Sequence, residues 1–170
     1  MRLNRGSVQL IKKALLYFLV AFAAALLESS FFGAWLPFGI IPDLLLVLTL
    51  GAGYFKGSVS GGFFGVLAGV FGQFAGGVGL NLNLFLYIAV GYLAGVLVDS
   101  FFAGKYLVWC IYVFAAALLK GVFSLLYIVI FSGAERVFAA FFSSALPEFL
   151  GTLLLGAVIY VPIKKLVKYF

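Results

Sequence analysis

The sequence predicts an all-α, polytopic membrane protein of six transmembrane helices, with a glycine-rich third helix and both termini cytoplasmic. Three observations carry that expectation. Of 170 residues, 66% are hydrophobic and only 9% charged, where a soluble domain carries about 25% charged residues. Gly57, Gly61, Gly65 and Gly69 recur at every fourth position of an apolar stretch. The basic residues gather on one side of the apolar runs.

Apolar runs and breakers divide residues 1–170 into one integral domain with spans at 14–32, 42–55, 59–74, 82–102, 106–131 and 146–164. The first follows a basic start, is too long for a signal-peptide core and is expected to stay attached. The second begins at Pro42-Asp43, a favourable helix entry because proline lacks an N–H and a carboxylate suits the positive end of the helix dipole. The second and third, about 14 and 16 residues long, cover roughly 21–24 Å of a ~30 Å hydrocarbon core. They are expected to be sheltered by neighbours or joined as a hairpin through Lys56-Gly57-Ser58. The third ends in Gly76-Gly77-Val78-Gly79, too glycine-rich to remain helical, and Asn81 is placed to cap the fourth. The fifth is uninterrupted. A long connection at 132–145, with an interfacial turn around 135–142, precedes the sixth, which starts beside Pro147-Glu148.

With the N-terminus inside, Arg2, Arg5, Lys12, Lys13, Lys56, Lys105, Lys164, Lys165 and Lys168 fall on the inner side and Arg136 alone outside. That asymmetry orients the helices. The net charge of +6 therefore reads as topology and attraction to anionic lipids. No nucleic-acid partner is expected, because no basic surface stands clear of the membrane.

Glu28, Asp43, Lys120 and Glu148 are ionisable groups within or just inside the spans. Counted from the inner helix ends they lie at one level, roughly 18–24 Å up. Such groups face the bundle interior and pair, because a charge at a helix centre costs about 2.5–3.5 kcal/mol on insertion scales. Lys120 is expected to pair with Glu28 or Glu148, with Asp43 nearby. This layer is either a site open to the outside or to a partner helix, or an ion pair that ties helices together; Asp43 and Glu148 also have the positions of simple helix caps.

The glycines form a smooth stripe on a helix face, against which a second backbone can press. Gly91 and Gly95 repeat the theme on the fourth helix, so the two helices have matched faces for packing on each other or on a partner. Tyr54, Trp109, Tyr160 and Tyr169, with Trp35 opposite, have the positions of interfacial aromatic belts. The lone cysteine, Cys110, has no intramolecular disulfide partner, and with no histidine in the chain neither a metal site nor a cofactor is expected. Enzymatic activity is not expected either, since the few carboxylates and Lys120 would have to supply every acid and base.

In order along the chain stand Ile41-Pro42-Asp43-Leu44-Leu45-Leu46, Phe55-Lys56-Gly57, Gly62-Phe63-Phe64-Gly65-Val66-Leu67-Ala68-Gly69, Gly79-Leu80-Asn81-Leu82-Asn83-Leu84-Phe85-Leu86-Tyr87 and Gly91-Tyr92-Leu93-Ala94-Gly95. This series resembles the rod shape-determining protein MreD family. The resemblance covers about a third of the chain closely and the rest by layout. It implies a non-enzymatic scaffold or regulator of peptidoglycan synthesis in the bacterial plasma membrane. Its partners would be an MreC-like bitopic protein, the MreB filament, and the elongation glycosyltransferase and transpeptidase. Gly61, Gly65 and Gly69, with Pro42, Asp43 and Asn81, are then the expected contacts to a partner's transmembrane helix. One departure stands out. Many relatives carry an aspartate near the end of the third helix, where this chain has Gln73. The alternative reading is the substrate-binding component of an energy-coupling-factor vitamin transporter, also a small glycine-rich six-helix protein. In that reading Glu28, Lys120 and Glu148 would line a ligand pocket.

Overall fold

The computed structural model describes residues 5–32, 42–76, 82–101, 105–132, 135 and 137–166. They are almost entirely helical, with no strand among the described residues. Helix α1 (Arg5–Leu27) runs into a π turn at Glu28–Phe32; α2 is Leu44–Lys56, α3 Ser58–Gly76, α4 Leu82–Phe101 and α5 Tyr106–Ser132. A helical turn at Val137–Ala140 and a π turn at Phe141–Ala145 lead into α6, Leu146–Leu166. Tyr106–Phe131 and Val137–Lys165 are long and apolar enough to cross a membrane.

Helix α2 is the axle of the fold. It touches each of the other five helices, and ten of its residues, Leu44 to Val47 and Thr49 to Tyr54, are buried. A helix enclosed on all sides needs no polar face, which explains why α2 reads as a continuous apolar run. It is also short for a spanning helix, and its N-terminus lies among its neighbours. Gly57 alone separates α2 from α3, with φ at 90° and ψ at 172°, a conformation that is nearly glycine-only. The hairpin expected from Lys56-Gly57-Ser58 therefore forms, but Gly57 is its corner and not a member of the packing stripe; a Cβ there would meet nothing within 4 Å. Gly57→Ala is expected to cost about 1–3 kcal/mol through backbone strain alone, seen as a lower unfolding midpoint in mild detergent.

The stripe proper is Gly61, Gly65 and Gly69, and α4 fills it. A Cβ on Gly61 would run into the Gly91 carbonyl, one on Gly65 would lie 2.5 Å from the Tyr87 oxygen, and one on Gly69 would lie 2.6 Å from Leu84 Cα. Gly95 in turn presses on Ser58 and Gly57. Helix α1 adds a second small-residue face that the sequence reading passed over: Tyr17, Ala21, Ala24 and Ala25 are buried, spaced as one helical stripe. The Tyr17 ring meets Phe64 of α3 edge-on at 5.7 Å between centroids.

Two sequence expectations need correction. The connection after α5 is shorter than 132–145, because helix resumes at Val137. Pro147 has no N–H to give the carbonyl four residues back, and the π turn before it absorbs the mismatch: the Leu146 N–H donates to the Phe141 carbonyl. Three of the aromatic residues assigned to an inner belt are core residues. Trp109 is 0% exposed, Tyr54 4% and Tyr160 7%, and the three rings pack together. The polar edge of the indole finds its partner inside the protein: Trp109 Nε1 donates to the Gly156 carbonyl at 2.8 Å. Tyr169 and Trp35 lie outside the described residues.

Candidate functional site

Five helical segments deliver polar side chains to one point. Pro42 and Asp43 enter α2, and Asp43 is its N-cap: Oδ1 accepts from the Leu46 N–H at 2.6 Å. Its other oxygen, Oδ2, accepts from Lys120 Nζ of α5 and from the Tyr87 hydroxyl of α4 at 2.7 Å. The Asp43 N–H donates to Thr152 Oγ1 of α6 at 3.0 Å, and the Thr152 hydroxyl donates to the Glu148 carbonyl at 2.7 Å. Lys120 also donates to Glu148 Oε1 and stands 5.8 Å from the Tyr87 ring centroid. Glu28, in the π turn after α1, accepts from the Leu45 N–H at 3.4 Å.

The physical logic starts from α2. Its first-turn N–H groups have no partner within the helix and are buried, so each needs an acceptor. Asp43 and Glu28 supply two, and both carboxyl groups lie at the positive end of the helix dipole. Asp43 is 1% exposed, so its charge also needs a cation, which Lys120 provides. Lys120 serves two carboxylates at once, and the group of Asp43, Glu148 and Lys120 keeps a net negative charge. That excess lies toward Glu148, whose side chain is 33% exposed against 15% for Lys120 and 1% for Asp43.

The structure brings the four ionisable groups named from the sequence to the N-terminal end of α2, with Lys120 on Glu148 and on Asp43. Asp43, expected nearby, is the centre of the cluster, while Glu28 holds a backbone N–H of α2. Glu148 is no helix cap, since helical turns precede it from Val137 onward. Tyr87 and Thr152 were missed. Thr152 stands one helical turn after Glu148, a spacing that puts both on one face; Tyr87 carries no such signal within its apolar run. Asn81 lies outside the described residues, while Gly61, Gly65, Gly69, Gly91 and Gly95 are all engaged within the chain.

A cleft beside the cluster, lined by Leu46, Lys120, Ser124, Glu148 and Thr152 among others, has a volume of about 10 Å³, room for a single water. Small-molecule sites measure about 300–1,000 Å³. Among the described residues no cluster of His, Cys, Asp or Glu has the form of a metal site. With both carboxylate oxygens of Asp43 occupied and its side chain enclosed, the arrangement is suited to locking five segments together. Tyr87→Phe is expected to cost about 1.5–3 kcal/mol, the range for a hydrogen bond to a charged group, read as a shift in thermal unfolding. Compared with known proteins, the chain matches no family model, no curated protein and no solved structure.

Proposed function

We propose that this chain is a non-enzymatic scaffold or regulator of the bacterial cell-elongation machinery, a six-span plasma-membrane protein that binds the transmembrane helices of its partners. The partners are those that its resemblance to the MreD family implies: an MreC-like bitopic protein, the wall-building glycosyltransferase and transpeptidase, and through them the MreB filament. The observation that supports this reading is the polar cluster, in which Lys120 joins Asp43 and Glu148 across three helical segments and the adjoining cleft among the described residues measures about 10 Å³. In the alternative reading, a vitamin-binding component, the same polar layer would line the ligand site, and vitamin binding by the purified chain distinguishes the two.

Both termini are assigned to the cytoplasm. Exposed Lys56, Lys105, Lys164 and Lys165 share one end of the bundle, where Tyr54 donates to the Lys105 carbonyl at 3.1 Å and Lys164 stands 5.7 Å from the Tyr160 ring centroid. Positive charge on that end favours the anionic inner leaflet. The test is depletion in a rod-shaped host together with isolation of the tagged protein in mild detergent. Spherical cells and co-isolation of the bitopic partner are expected. Unchanged rods, with tight binding of a vitamin by the purified chain, would overturn the proposal.

A further inference from the structure

Helix α5 divides at Lys120. Before it, Trp109, Val113, Ala116 and Ala117 are buried against the bundle. After it, none of residues 121–131 is buried. The turns at Val137–Ala140 and Phe141–Ala145 lie along this outer part of α5, but they leave a groove. Its wall contains a cavity of about 210 Å³ lined by Leu118, Val122, Leu125, Phe141, Leu146 and Phe149, among others. Gly121, Ala145 and Phe149 line both this cavity and the cleft beside Lys120, Ser124 and Glu148. A Cβ on Gly121 would meet nothing within 4 Å.

We propose that this groove receives one transmembrane helix of a partner protein, a bulky apolar side chain filling the cavity and a cationic side chain about one turn away reaching Glu148 and Ser124. The inference rests on the scaffold reading and assigns it a surface. Size and charge select the occupant. A cavity of about 150 Å³ holds a benzene ring, so 210 Å³ suits a single aromatic or leucine side chain. The polar end is net negative, which repels a phospholipid phosphate and attracts a hydrogen-bond donor carrying positive charge. A helix that offers an apolar anchor and a donor meets both halves of the groove.

The experiment uses the full chain in phosphatidylethanolamine–phosphatidylglycerol vesicles, with synthetic leucine-based single-span peptides as probes and energy transfer as the readout. One peptide carries phenylalanine and, one turn away, arginine; a second carries phenylalanine alone; a third replaces the arginine by glutamate. The arginine peptide is expected to bind about tenfold more tightly than the phenylalanine peptide, the scale of one interhelical polar contact in a bilayer, and the glutamate peptide more weakly than either. Gly121→Phe places a ring between the cavity and the cleft, both of which Gly121 lines, and is expected to weaken all three. Glu148→Gln is expected to erase the preference for arginine and keep binding of the phenylalanine peptide. Equal affinity for the three peptides, no effect of Gly121→Phe, or displacement of the peptides by unlabelled copies of the chain each overturns the proposal. If that happens while the bitopic protein still co-isolates from cells, the groove is wrong and the scaffold reading stands; loss of co-isolation removes the scaffold reading itself.

Discussion

Replacing Lys120 by methionine is expected to destabilise the protein by about 3–5 kcal/mol, the cost of leaving one partner of a buried ion pair without the other. Asp43 is the reason. It is 1% exposed, and after the substitution its charge would keep only the Tyr87 hydroxyl, the Leu46 N–H and the end of α2. The loss should reach every helix, because α2 touches them all. In mild detergent, Lys120→Met should therefore lower the unfolding midpoint steeply or leave no folded species in size-exclusion chromatography. The double variant Lys120→Met, Asp43→Asn removes the stranded charge and should regain a large part of the loss. A single variant as stable as the native chain would show that the cluster does not hold the bundle, and with it the argument for a closed polar core would fall.

Gly91→Leu is expected to abolish folding. Three helices meet at this residue: a Cβ on either Gly53 of α2 or Gly61 of α3 would strike the Gly91 carbonyl, and one on Gly91 itself would strike the Gly61 carbonyl and lie 2.8 Å from Thr49 Cγ2. Overpacking a well-filled core costs about 1–3 kcal/mol when side chains can shift. Here the obstacles are backbone atoms of helices held close on several sides, so relief requires the helices to separate. Gly121→Ala is the matched control, in open space, and should lie within about 0.5 kcal/mol of the native chain. Equal midpoints for Gly91→Leu and the native chain would sink the close-packing account.

The glycine result also bears on function. The sequence left the stripe open to use by this chain or by a partner, and a substitution such as Gly65→Leu would have served as a probe of partner binding. With Gly65 against Tyr87 and Ile88 backbone atoms of α4, that substitution disturbs the fold first. Among the described residues, the outer part of α5 combines an exposed apolar face with a cavity and a nearby carboxylate, Glu148.

Much was legible beforehand, for reasons that can be named. Class, helices and the polar layer follow from quantities carried along the chain: apolar run length, breakers, and the number of residues between a charge and a helix end. The resumption of helix at Val137 was not legible, because the π turn that lets Pro147 follow it has no fixed sequence signature. The roles of Ala21, Ala24 and Ala25 were likewise hidden, since alanine in an apolar run looks the same whether it faces lipid or a neighbouring helix.

The amino-acid order alone set the helical class, the shared level of Glu28, Asp43, Lys120 and Glu148, and the lysine-rich end, because each depends only on spacing along one helix or on composition. Tertiary structure decided which carboxylates Lys120 serves, that Tyr87 and Thr152 complete the cluster, that Trp109 is core, and that α4 occupies the glycine stripe. Those outcomes depend on how helices far apart in sequence rotate and approach one another. That geometry is set by packing the whole bundle around α2, and no single segment encodes it.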